Sequence, residues 1–141
     1  MINKEVKTSI LQRSTNTEMD ATILYSSEKN SIILQYSDNK IEFFGNLDLW
    51  ESYTSMMLWL EKNNLHLFLM GCRVDVSASG FLRSSSNGLL AYLHYIGQRT
   101  SSDDVVNVFD VSRDNIGTLD EKRKFYESWK DFFRKEAGNN S

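Results

Sequence analysis

The chain has 141 residues, 40% hydrophobic and 12% aromatic, with one cysteine, no proline and a net charge of −3. That is the length of one domain with apolar surface for one core, while a pI near 5.4 argues against a general phosphate-binding protein. A lone Cys72 excludes an intramolecular disulfide framework and a cysteine-based zinc cluster, and the lack of any apolar run of about 18 residues excludes a membrane-spanning helix.

The start, Met1-Ile2-Asn3-Lys4-Glu5, lacks the apolar core of a secretory signal, so a cytoplasmic protein is expected. Residues 1–141 read as a single domain, with 1–16 and 138–141 as flexible ends. Charge is unevenly spread. Residues 17–62 hold eight acids against three lysines, a net −5. Such a sector keeps a protein soluble or attracts a basic partner.

Thr22–Tyr25 and Ser31–Tyr36 are rich in β-branched and aromatic residues and flank a polar turn, so both read as strands. Asp38-Asn39 is a second turn, and Lys40–Phe43 alternates like a half-buried antiparallel strand. A helix follows from about 48 to 63. Asp48 with Glu51 three residues on has capping-box spacing, and Trp50, Tyr53, Met56, Met57 and Leu60 form its apolar stripe. Leu65–Met70 is apolar on both faces except for His66, which predicts a central strand. Gly88–Gly97 reads as a buried strand, with a short helix as the alternative.

Residues 102–109 suit either a strand, through their β-branched run, or a helix, through the Ser and Asp before it. Thr118-Leu119-Asp120-Glu121 opens a last helix that should end near 137. Phe125, Trp129, Phe132 and Phe133 share one of its faces, which predicts a deeply buried Trp129. The fold class expected is α+β: a mainly antiparallel sheet with the 48–63 and 118–137 helices packed on one face.

Candidate chemistry is sparse. His66 and His94 lie in apolar segments, and no ligand set completes a metal site, so neither metal nor cofactor is expected. Neither GxGxxG nor GxxxxGK[ST] occurs, and no basic helix suggests direct nucleic-acid binding. Arg73 and Asp75 alternate with Val74 and Val76, which places both charges on one face of a strand. They form either an exposed charge pair or an Arg held by an acid so that its fork faces a partner. Ser77, Ser79 and the 83–88 loop continue that polar edge.

The strings Arg73–Gly80, Asn87–Gly97, Asp103–Asp110 and Glu121–Trp129 fit the pattern RxDVxxSG, GxxAY, DxVxxFD and FYxxW. This resembles a group of small uncharacterised bacterial proteins, and through them antibacterial immunity proteins, including those of contact-dependent growth inhibition systems. The resemblance covers about residues 65–133. It implies a short helix at 102–109, and an immunity protein that binds and neutralises a partner toxin one-to-one, a nuclease domain among the candidates, with no turnover. The matching Arg73, Asp75, Ser79, Gly80, Gly88, Tyr92, Asp104 and Asp110 serve that group's fold or its contacts. With the acidic sector, the expected partner-binding residues are Asp38, Glu42, Asp48, Glu51, Arg73, Asp75 and Phe81. Arg73 and Phe81 are the expected anchors. The alternative is a small-ligand or enzymatic domain with a site around Cys72, Arg73, Asp75 and His94.

Overall fold

Alternating burial runs through the first half of the chain, and in a computed structural model that describes residues 3–139 it becomes a five-stranded antiparallel sheet. Its strands are β1 (Lys4–Gln12), β2 (Thr17–Ser26), β3 (Ser31–Tyr36), β4 (Asn39–Phe44) and β5 (Leu65–Leu67), in the order β4-β3-β2-β1-β5. Ile10, Ala21, Ile23, Ile32, Leu34 and Phe43 face the core, while Glu5, Asp20, Lys40 and Glu42 face out. Residues 1–2 and 140–141 of the expected flexible ends lie outside the described residues, whereas residues 3–16 are not a flexible lead-in. Within them, β1 is hydrogen-bonded to strands on both sides, from Ile10 to Met19 and to Leu67. The β3–β4 turn falls on Ser37-Asp38, one residue earlier than expected, with Ser37 at φ 52°.

Helix α1 (Leu49–Lys62) buries Leu49, Tyr53, Met56, Met57 and Leu60 and packs over β3, β4 and β5. Trp59 meets Tyr36 and Phe43 edge-on. Leu65–Met70 does not form a central strand. Leu65–Leu67 pairs at the sheet's edge, Leu69 makes an isolated bridge to Val111, and Met70–Cys72 then makes a single 3-10 turn. A second sheet follows, built from β6 (Val76–Ser77), β7 (Leu90–Leu93) and β8 (Val105–Asn107) in that order, with helix α2 (Gly80–Ser86) between β6 and β7. The 102–109 ambiguity resolves into both forms. Ser101 caps a 3-10 turn over Ser102–Asp104, and the β-branched pair Val105-Val106 then enters β8. With three helices beside these antiparallel strands, the fold is α+β.

Helix α3 (Leu119–Asn139) starts on its box, with Thr118 Oγ accepting from Glu121 N–H and Glu121 Oε1 from Thr118 N–H. Its deepest residue is a lysine. Lys122 Nζ donates to the carbonyls of Gly71 (2.8 Å), Arg73 (2.8 Å) and Val76 (2.5 Å), and lies 5.6 Å from the Trp50 ring centroid. Trp129 is only half-buried. Its indole N–H donates to Gln98 O at 2.8 Å, and its ring leans on His94 and Phe133.

The two docking residues should respond in the opposite order to their hydrophobicity. Trp129→Ala should cost about 1–2 kcal/mol, because only part of its surface leaves water. Lys122→Met should cost about 3–5 kcal/mol, since it removes a charged donor from three carbonyls, two of them in buried bonds. Urea midpoints of the two variants check this; an equal or larger loss at Trp129 would show that α3 is held by its aromatic face.

Candidate binding surface

At the start of α1 the backbone leaves N–H groups without helical partners. Asp48 accepts one of them, from Glu51 N–H to Oδ1 at 2.9 Å, and Glu51 Oε2 reaches back to Leu47 N–H at 2.8 Å. The box thus closes one residue earlier than the usual form. Arg83 of α2 grips the same carboxylate, Nε to Oδ2 at 2.8 Å and Nη2 to Oδ1 at 3.0 Å. That hydrogen bond holds the Asp48 carboxyl below its ordinary range.

Helix α2 is capped by Ser79, which accepts from Leu82 N–H, and it ends at Asn87 in the left-handed region. Asn87 Nδ2 donates to Ser27 O (2.8 Å) and Asn30 Oδ1 (2.7 Å), and Asn87 O accepts from Leu49 N–H. Gly88 follows at φ 82°, where a Cβ would stand 2.4 Å from Trp50 N; no other residue fits. The β2–β3 turn, the start of α1 and all of α2 are therefore fixed to one another.

Two of the three most exposed large apolar side chains of the described residues, Leu47 (77%) and Phe81 (73%), stand on this platform, and the third, Phe44 (62%), ends β4 on the outward face of the sheet. Beside Leu47 an open groove of about 410 Å³ is lined by Leu47, Asp48, Gly80, Arg83, Ser84 and Asn87. Rigid apolar groups held in water beside a fixed ion pair form a surface suited to protein contact.

The structure brings four of the expected residues to this end. Phe81, Asp48 and Glu51 lie on it, and Glu42 is exposed two residues before Phe44 on the same face of β4. Asp38, in the β3–β4 turn, is at the other end of that strand. Arg73 and Asp75 are elsewhere. They do not share a strand face but follow the 3-10 turn, and Arg73 closes its fork on Asp75, Nε to Oδ1 and Nη2 to Oδ2 both at 2.8 Å. Arg73 Nη1 reaches Ser112 Oγ (3.3 Å) and Asn115 Nδ2 donates to Asp75 Oδ2 (3.1 Å). Burial raises the Asp75 carboxyl, but the hydrogen bonds from Arg73 and Asn115 outweigh it and hold it below its ordinary range. This pair pins the 112–116 loop, and its guanidinium is turned inward. Leu47, Phe44 and α2 were not visible as site elements; the only signal was Ser79 three residues before Leu82.

Cys72 and His94 spend their polar atoms on different groups. The Cys72 thiol is buried 3.7 Å from Tyr53 Oη, and burial pushes it up to about 11. His94 Nε2 lies 2.5 Å from Ser77 Oγ, while its Nδ1 is buried without a protein partner. The tautomer with its proton on Nδ1 would leave a buried N–H unpaired, whereas the one with its proton on Nε2 leaves only a lone pair there and donates to Ser77. In that tautomer the ring does not act as a base toward the serine. Among the described residues no group of three His, Cys, Asp or Glu side chains is placed to hold a metal, and no helix is long and apolar enough to cross a membrane.

No protein-family model matches the chain, and no curated protein matches it.

Burial lowers the affinity of His94 for a proton; Lys122 adds to this, while Asp75 and Asp104 oppose it. The unfolded chain therefore binds that proton at a higher pH than the folded chain does. Stability is full above the ordinary histidine value of about 6.5 and falls as pH drops through it. Urea unfolding at pH 7.5 and 5.5 should show this loss, and His94→Gln should reduce it, leaving the share of His66, whose value burial also lowers. An identical loss in the variant and the wild type would remove His94 as its source.

Proposed function

We propose that the chain is an immunity protein, a cytoplasmic binding and inhibitor protein of the contact-dependent growth inhibition type. It neutralises a partner bacterial toxin one-to-one and turns over no substrate. The single observation that supports this most is the pair of exposed apolar side chains, Leu47 and Phe81, on a hydrogen-bonded platform beside the Asp48–Arg83 pair. Large apolar groups carried on a backbone that hydrogen bonds already hold lower the reorganisation cost of binding, which is what a tight inhibitor needs. The acids around them match a basic partner such as a nuclease domain.

The side chains divide by role. Phe81 and Leu47 supply the desolvated anchors, whereas Arg73, folded onto Asp75, supports the neighbouring loop. Glu42 and Asp38 are exposed and act at long range on the encounter. Asp48, 6% exposed and committed to Arg83 and the α1 cap, acts by keeping the platform in shape.

Expression of the toxin domain encoded beside this gene, with and without the protein, tests the reading. Protection and a one-to-one complex on size exclusion are expected; equal growth inhibition with no complex would overturn it. Within the complex, Phe81→Asp should weaken binding about 30-fold, the ~2 kcal/mol of a hot spot, mainly through faster dissociation. Glu42→Lys should instead slow association, most at low salt, because exposed charges are screened beyond about 10 Å at 0.1 M.

A further inference from the structure

Helix α3 carries two seams. One faces the body of the protein through Lys122, Trp129 and Phe133. The other consists of Glu121, Phe125, Ser128, Phe132 and Lys135, at alternating spacings of four and three residues. Residues at these spacings line one stripe of a helix, and two of the five are aromatic. Along it Glu121, Ser128 and Lys135 are exposed, Phe125 is half-buried and Phe132 is 42% exposed. Beside Phe132, Gly97 packs on its ring and Ile96 stands 51% exposed, which widens the apolar strip.

The order of residue types on this seam is its own complement when reversed. Laid antiparallel about Ser128, two copies place Glu121 against Lys135 of the second copy. Phe125 then meets Phe132, and the two Ser128 residues meet at the axis. The remaining two layers repeat these in reverse. Opposite charges thus close both ends, aromatic pairs fill the next layers, and the smallest side chains lie where the helices approach most closely. An isologous contact requires such self-complementarity, in which each residue meets a partner that it also serves. A seam built for an unrelated protein would have no reason to read the same in both directions.

We infer that α3 is a self-association surface, whose occupant is the α3 of a second copy of this chain packed antiparallel about Ser128. Five layers are a small contact beside the ~1,200–2,000 Å² of stable interfaces, so the dimer is weak and half-formed on the order of 100 µM. It uses other residues than the Leu47–Phe81 platform, so a dimer still offers one toxin site per chain.

Sedimentation equilibrium on the full chain, from about 10 µM to about 1 mM, tests this. The wild type should pass from monomer to dimer across that range. Glu121→Lys alone sets lysine against lysine at both ends, and Lys135→Glu alone sets glutamate against glutamate. Each should weaken association about tenfold. An equimolar mixture of these two variants pairs Lys with Glu at both ends and should recover dimerisation, as heterodimer. A wild type that stays monomeric, single variants as associated as the wild type, or a mixture no better than its components would each overturn the inference. Because Glu121 also serves the α3 box, Phe132→Ser provides a check that leaves that box alone. It too should lower the association constant about tenfold, and an unchanged constant would count against the seam.

Discussion

One ammonium group organises the second half of the molecule. Between Gly71 and Val76 the chain turns out of the first sheet, makes a 3-10 turn and starts the second sheet, and the carbonyls of Gly71, Arg73 and Val76 converge on one point. Lys122 answers all three at once. Only the charged form has three N–H donors, and although burial lowers Lys122 to about 8, that form still prevails at neutral pH. The carbonyl dipoles and the Trp50 face supply negative potential, and the Asp75 carboxylate adds to it. The lysine thereby fixes where α3 begins, how β6 leaves the turn, and the loop that Arg73 and Asp75 go on to pin.

The two bidentate Arg–Asp pairs show that identical chemistry serves different ends according to its surroundings. Arg73–Asp75 has 13% and 8% side-chain exposure and is enclosed by Ser112 and Asn115. Arg83–Asp48 has a guanidinium 35% exposed along a groove, with apolar side chains in water on either side. Neither pair is a large source of stability, since desolvation offsets most of the attraction. Their value is geometric. The first sets a loop against the 3-10 turn, and the second sets two helices so that Leu47 and Phe81 share one surface.

Elements with a strong period were legible from the amino-acid sequence: α1 with its Asp48 cap, β3, β4 and the start of α3. What escaped did so for physical reasons. The β1 segment, Lys-Glu-Val-Lys-Thr-Ser-Ile-Leu-Gln, turns a polar face to water and carries little apolar weight on the other, so it reads as a tail until its neighbours are known. Seven residues of α2 are too few to show a helical period. Lys122 sits in a Glu-Lys-Arg-Lys run that reads as solvated charge, and no local pattern marks which lysine turns inward. Of the expected contact residues, exposure on the platform was legible for Phe81. Arg73 was misplaced, because alternation with Val74 and Val76 mimics a strand where the chain in fact turns.

The position of β1 also dictates the order in which the sheet can be assembled. Strands β1 to β4 form a meander joined by short turns, so each pairing closes a small loop at little entropic cost. β5 must instead find β1 across the whole meander and α1, joining Ile10 to Leu67. During synthesis the outer side of β1 is therefore an open edge until nearly half of the chain has been made, and then only the short Leu65–Leu67 strand and its two flanking residues cover it. That interval, before Leu65–Leu67 has emerged, is when a nascent chain is most open to strand addition by its neighbours.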